Sequence, residues 1–283
     1  MSELESSQKV RFPLNKRTCD VNQSVKPDLV LPKEVRKKCL NDFDKNYDSS
    51  VEPSVAKLFE LGNEAYKSGL DMEAYNYYLK CISSGIESSE ILFNSFKNIG
   101  NILVRAGDLE GAEEFYNKAY TIYPDSDILL VNLGTLEMQK RDLERAAERY
   151  RMAVDVNPSN SRAWIGLALV HREYGDFDLS WGNIERALDV DPSDETALEV
   201  MIEWGVKESR FESIIDRLET YININPQNIY MMETLVKVYV VGGRLVKAKN
   251  LIHDILLKYP NNTQLKQILN TLETNENING VVS

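Results

Sequence analysis

Residues Phe93–Pro124 read FNSFKNIGNILVRAGDLEGAEEFYNKAYTIYP, and the closing proline returns at Pro158, Pro192, Pro226 and Pro260, 34 residues apart each time. Five of the chain's nine prolines therefore stand in one register, which chance placement does not produce. Counted from Phe93, the eighth residues of the units are Gly100, Gly134, Ala168, Ile202 and Val236, and the twentieth are Ala112, Ala146, Ser180, Ile214 and Ala248. Two helices approach closely only where a side chain is short or missing, so small residues at both places in the first three units describe a packed helical hairpin. Between them stand Gly107-Asp108, Arg141-Asp142, Gly175-Asp176, Ser209-Arg210 and Gly243-Arg244. Glycine suits the left-handed residue that ends a helix, and aspartate caps the start of the next. The proline then excludes further helix. Each unit is helix, tight turn, helix.

A helix-turn-helix unit of this period resembles the tetratricopeptide repeat (TPR). The family pattern is matched by Ile99, Gly100, Gly107, Ala112, Tyr116, Ala119 and Pro124, and again by Leu133, Gly134, Ala146, Tyr150, Ala153 and Pro158. An earlier unit fits with Leu58, Leu61, Gly62, Gly69, Ala74, Tyr78 and Cys81. The resemblance covers Ser54 to Pro260 and implies an all-α, right-handed α-solenoid of about six hairpins. The expected units are 54–87, 93–126, 127–160, 161–194, 195–228 and 229–262, followed by a capping helix over 263–273 and a frayed tail over 274–283. Leu265, Ile268, Leu269 and Leu272 give that last helix its apolar stripe, which a terminal repeat needs to cover its open face.

Two departures carry structural expectations. Gly62 and Gly100 are 38 residues apart, four more than the period, and the surplus is expected as a longer loop over Ser83–Ser89. In the fifth unit Ile202, Ile214 and Tyr221 stand where other units are small. Overpacking costs about 1–3 kcal/mol unless the backbone yields, so a wider helix pair or a local bend is expected there. Tyr78, Tyr116, Tyr123 and Tyr150 recur in register and read as core. Trp164 occupies the consensus aromatic place, while Trp181 and Trp204 are off-pattern and read as buried between repeats.

The net charge is −11, and it is uneven. Residues 1–52 carry ten Lys/Arg against nine Asp/Glu, the remainder 23 against 35. An acidic body without a basic stripe argues against nucleic acid, which is bound through displaced counterions, and so sets aside the RNA-binding pentatricopeptide relatives of similar period. Three scattered cysteines, Cys19, Cys39 and Cys81, read as reduced thiols of a cytoplasmic protein. No apolar leader opens the sequence and no apolar run is long enough to insert in a membrane. Residues 1–53 lack the repeat. They read as an arm, extended or partly disordered, with a short helix over Glu34–Asn46 and the options of packing on the solenoid, filling its groove or docking on a second copy.

Catalytic signals are few. The two histidines, His171 and His253, share no metal-ligand spacing with cysteines or acids, and His171 reads as a core histidine. Glu113, Glu114, Glu144 and Glu148 lie on second helices and read as a solvated convex face. The chain reads as a non-enzyme, with no cofactor and no metal.

Binding is better supported. The resemblance implies that the first helices line a concave groove through their second, fifth, sixth, ninth and thirteenth residues. There stand Asn94, Lys97, Asn98, Asn101 and Arg105, then Asn132, Thr135 and Gln139, then Arg162 and Glu173. Asparagine is uncommon inside helices because it competes with the backbone, and its amide both donates and accepts, which suits the backbone of an extended peptide. TPR domains that clamp a chaperone's C-terminal carboxylate use five places of this kind. Lys97, Asn101, Asn132 and Arg162 fill four, and Gly166 stands at the fifth. A missing charge-assisted contact weakens such a clamp about tenfold or more. The expected partner surface is therefore Lys97, Asn101, Arg105, Asn132, Gln139 and Arg162. It would hold an extended peptide or helix of another protein, acidic or C-terminal, with the co-chaperone as the narrower form. The other class is a structural protein that self-assembles through convex or terminal surfaces and the arm.

Overall fold

A computed structural model describes residues 53–85 and 88–280, with side chains through Thr274. The expectations for the arm before Pro53 fall outside the described residues. Among those described are thirteen helices and no strand. They form six antiparallel pairs: α1 (Val55–Lys67) with α2 (Asp71–Ser83), α3 (Ser89–Arg105) with α4 (Leu109–Ile122), and α5 (Asp127–Gln139) with α6 (Leu143–Val156). Then follow α7 (Ser161–Glu173) with α8 (Phe177–Val190), α9 (Glu195–Lys207) with α10 (Phe211–Ile224), and α11 (Ile229–Val241) with α12 (Leu245–Lys258). A thirteenth helix, α13 (Thr263–Gly280), closes the array. Successive first helices α1, α3, α5 and α7 touch one another as well as their own partners, which puts them on the inner side of an α-solenoid.

The helix ends are built locally. Ser126, Asn160, Asp194 and Asn228 each accept, through the side chain, the backbone N–H three residues on, satisfying one of the donors that a helix start leaves open. Inside the hairpins, Gly107, Gly175 and Gly243 take the left-handed conformation, and Arg141 and Ser209 take it too. Two non-glycine residues at positive φ show that the turn geometry is imposed by the packed pair around it.

The four surplus residues of the second unit are not in a loop. Helix α3 has 17 residues against 13 for the other first helices, because Ser88 caps a start one turn early by accepting from Ile91 N–H. No proline interrupts Ser89–Leu92, so the extra turn continues the helix. At the other end, α13 passes Glu273 and runs to Gly280. Its polar stretch holds no proline and no glycine before Gly280. Leu265 and Leu272 are buried against the last hairpin, and Ile268 and Leu269 pack beside them.

The small residues set how closely the hairpins close. A Cβ on Gly100 would lie 2.3 Å from Tyr116 Cε1, and one on Gly134 2.8 Å from Tyr150 Cε1, so each tyrosine ring sits in the notch that its glycine leaves. Tyr78, Tyr116 and Tyr150 are buried as expected, but Tyr123 is 41% exposed. It ends the helix, and its ring meets Phe93 edge-on at 4.9 Å instead of entering the core. In the fifth hairpin α9 and α10 pack less extensively than the pairs before them, in line with the bulk of Ile202, Ile214 and Tyr221. Trp181 and Trp204 are buried there, and a Cβ on Gly205 would lie 2.7 Å from both Trp181 Cη2 and Ile214 Cδ1. The close approach has moved from the eighth residue of the helix to the eleventh.

Ser180 occupies the second small site of the fourth hairpin. Its hydroxyl is buried and has no hydrogen-bond partner among the described residues, a state that costs about 1–3 kcal/mol of desolvation. The corresponding residues Ala112 and Ala146 carry no such group. Ser180→Ala is therefore expected to stabilise the protein by about 1 kcal/mol, seen as a higher urea midpoint by circular dichroism.

Candidate functional site

The inner wall begins with a ladder of tyrosines and amides. Tyr78 Oη donates to Asn63 Oδ1 at 2.8 Å, and Asn98 Nδ2 of the next hairpin donates to Tyr78 Oη at 3.0 Å. One repeat on, Tyr116 Oη donates to Asn101 Oδ1 at 2.7 Å, and Asn132 Nδ2 donates to the same oxygen at 2.8 Å. Burial pushes the Tyr78 phenol up to about 12, against the opposing bond from Asn98, and burial raises Tyr116 as well. Both phenols stay neutral and keep donating. Each rung thus ties a first helix, its own second helix and the first helix of the following hairpin. Asn101 and Asn132, expected on the groove wall, are half-buried. Their structural use takes Asn101 Oδ1 and Asn132 Nδ2, and leaves Asn101 Nδ2 and Asn132 Oδ1 without a partner among the described residues.

The basic residues divide by position. Arg105 is held to Asp71 of the preceding hairpin and lies 4.4 Å from the Tyr66 ring centroid, at the junction of the two hairpins. Lys97 Nζ donates to Asn94 Oδ1 at 2.9 Å and lies 5.5 Å from the Phe93 ring centroid. Burial holds its pKa below the ordinary lysine value, so any anion reaching it meets a poorly hydrated cation. Arg162 is exposed.

Beyond Asn132 the wall changes character. Gly166 stands where the two preceding hairpins have Asn98 and Asn132, and a Cβ there would lie 2.3 Å from Tyr150 Cε1. The ring of Tyr150 leans into this space, and its hydroxyl meets Thr135 Oγ1 at 3.1 Å. A cavity of about 560 Å³ opens over it, walled by Val131, Met138, Ile165 and Leu169 and edged by Gln139, Arg162, Asp191 and Asp194. Two of the sequence-derived residues therefore meet at one cavity, two meet in one rung, Lys97 stands apart and Arg105 is occupied. The cavity itself was visible in the sequence only as a missing basic residue at Gly166.

Past the cavity the first helices turn acidic. Glu195 accepts from Tyr221 Oη and, at 2.9 Å, from Asn228 Nδ2. Glu203 pairs with Lys207 at 2.6 Å, and Asn262 Nδ2 donates to Glu233 Oε1 at 2.5 Å. Burial, then the neighbouring Glu195, holds the Glu199 carboxyl above the ordinary glutamate value. His171 packs into the fourth hairpin with Nδ1 buried and without a hydrogen-bond partner among the described residues, 3.8 Å from Asp176 Oδ2.

Models of the tetratricopeptide repeat match residues 96–126 and 131–195. This is a tetratricopeptide-repeat protein. Solved structures superpose on it, among them PilF of Pseudomonas aeruginosa, at 16% identity with a TM-score of 0.56 over 76% of this chain and 96% of that one. A TPR protein of Thermus thermophilus, TTC0263, matches at 16% identity with a TM-score of 0.51, over 66% of this chain and all of its own. A chain of the APC/C hetero-tetramer Cut9–Hcn1 matches at 14% identity with a TM-score of 0.53, over 83% of this chain. This chain spans 45% of that larger chain's length. At these identities the likeness shows the fold alone. No curated protein matches the sequence. No described helix is long and apolar enough to cross a membrane.

Proposed function

We propose that this TPR protein is a non-catalytic adaptor of the cytoplasm that holds an extended segment of a partner protein along its inner face. The observation that supports this reading most is the continuity of the inner wall. Open amide ends at Asn101 and Asn132 lead into an aliphatic cavity whose rim is polar, with Gln139 and Arg162 on first helices and Asp191 and Asp194 between α8 and α9. Backbone-pairing amides give affinity without sequence preference, and a pocket gives the preference. Lys97 supplies a partly desolvated cation at the amide end. The co-chaperone form of the reading needs a second basic residue at Gly166, where the wall is aliphatic, so an internal segment suits the site better than a terminal carboxylate.

Proteins captured from native extract by the wild type and by Lys97→Ala/Gln139→Arg, compared by mass spectrometry, test the reading. Neither residue belongs to the Tyr116 rung, so the fold should persist, which circular dichroism checks. Partners held by the wild type and lost from the variant are the expected result. An unchanged set of partners would place the working surface on the convex face, the ends or the arm.

A further inference from the structure

From the third unit to the sixth, a side-chain hydrogen bond ties the first helix, near its start, to the loop that ends the unit. Asp127 accepts from Asn157 Nδ2 at 2.6 Å and from Asn160 Nδ2 at 2.9 Å. Ser161 Oγ donates to Asp194 at 2.8 Å, Asn228 donates to Glu195 at 2.9 Å, and Asn262 donates to Glu233 at 2.5 Å. The second unit departs from this. Phe93 stands one period before Asp127, and Tyr123 one period before Asn157. In place of the amide–carboxylate bond, their two rings meet edge-on at 4.9 Å. The same unit carries the extra turn of α3, which adds Glu90 where the other first helices have no counterpart. Between that turn and the loop after α4 opens a cavity of about 500 Å³, whose lining includes Glu90, Phe93, Asn94, Tyr123 and Asp125.

The acids of this lining are unmatched. The Glu90 and Asp125 carboxylates are exposed and have neither an ion pair nor a hydrogen bond among the described residues. Their polar neighbours are engaged elsewhere. Asn94 Nδ2 donates to the Glu90 backbone carbonyl, Asn94 Oδ1 accepts from Lys97 Nζ, and Ser126 Oγ accepts from Leu129 N–H. The cation that touches the lining is Lys97, 5.5 Å from the Phe93 ring centroid. It covers that ring and leaves Tyr123, 41% exposed, as the open aromatic wall.

Each feature selects a chemistry. An anion would meet two carboxylates of its own sign. An aliphatic side chain would strip water from them and give no partner in return. A guanidinium stacks on an open aromatic face, is less strongly hydrated than an ammonium, and its fork can serve two carboxylate oxygens. Lys97 opposes it with one charge against two. We infer that this cavity receives an arginine side chain of a partner protein, stacked on Tyr123 and paired with Glu90 and Asp125. The inference goes beyond the groove reading, since it requires neither the Asn101–Asn132 amides nor the Gly166 cavity to be occupied.

The test titrates the isotope-labelled, full-length protein with the blocked peptide acetyl-Gly-Gly-Arg-Gly-Gly-amide and follows backbone amide shifts by NMR. Shifts centred on Glu90, Phe93, Tyr123 and Asp125 are expected. The same peptide with citrulline, which keeps the shape and loses the charge, should leave these amides in place, and a lysine peptide should bind more weakly. Glu90→Gln/Asp125→Asn should weaken the arginine peptide about fivefold or more, and Tyr123→Leu about two- to fivefold. All three residues are exposed, so the fold should persist, which circular dichroism checks. Lys97→Ala, which loses partners under the groove reading, removes the opposing cation and should bind this peptide at least as tightly, so the two readings fail separately. No shift at these amides, equal shifts with citrulline, or an unchanged affinity in the double variant would overturn the inference. A peptide of residues 26–46 of this chain that shifts the same amides and displaces the arginine peptide at lower concentration would make the arm the occupant in place of a partner, and the inference would again fall.

Discussion

Tyr116→Ala is expected to destabilise the protein by about 3–5 kcal/mol. Three losses combine in this substitution. The ring is 2% exposed and fills a notch too narrow for a Cβ on Gly100, which would come within 2.3 Å of the ring. Removing it leaves a cavity that the second helix cannot close without shifting along its length. The hydroxyl also orients Asn101, whose Oδ1 receives Asn132 from the next hairpin, so the junction between two repeats loosens as well as the inside of one. Tyr116→Phe keeps the ring and deletes the hydroxyl. Because Asn101 Oδ1 still accepts from Asn132, the cost should fall to about 0.5–1.5 kcal/mol. Urea denaturation followed by circular dichroism separates the two. Equal losses for both variants would mean that the hydrogen-bonded rung, and not the packed ring, holds the hairpin to its neighbour.

The same residues show what could be read from the sequence and what could not. The period, the turns and the small sites were legible because packing imposes them: a helix pair at close range has no room for other choices at Gly100, Ala112, Gly134 or Ala146. The asparagines were half legible. Their unusual place inside helices was evident, but an amide serves a peptide or a neighbouring tyrosine equally well, and only coordinates show Asn101 accepting from Tyr116. One signal was available, since the tyrosines at 78 and 116 recur in step with Asn63 and Asn101 before them and Asn98 and Asn132 after. Arg105 carried a second signal. Asp71 opens the second helix of the preceding repeat, so an acid stood near the turn that the arginine's helix packs beside. The surplus before Phe93 misled because serine and glycine near it suggest a loop, while Ser88 serves as a helix cap. Gly166 misled in another way. Its missing side chain removes a contact in the linear pattern, but in three dimensions it admits the Tyr150 ring and opens a cavity beside it.

Ile214→Ala should cost more than its size suggests, in the upper part of the 2–5 kcal/mol range for large-to-small core changes. The residue is fully buried at the second small site, where Ala112 and Ala146 let other hairpins close. Alanine there would restore the family pattern, which on the sequence alone makes the change look harmless. The fifth hairpin cannot use it, because Ile202 occupies the first small site, Tyr221 is buried further along the same pair, and Ile214 itself packs at Gly205. Ile202 and Tyr221 hold α9 and α10 apart whatever occupies position 214. The Ile214 Cδ1 meanwhile fills the space against Gly205 and Trp181, where a Cβ on Gly205 would stand 2.7 Å from each. Truncation therefore opens a void lined by Trp181 and Gly205 that the splayed pair cannot collapse, and the cost grows with the residual volume. Hydrogen exchange should locate the effect in α9 and α10, since each repeat of a solenoid contacts only its neighbours. A loss under about 1 kcal/mol, well below that range, would show that the hairpin does close on alanine. The width of the fifth repeat would then be a property of Ile214 alone and not of the three large residues acting together.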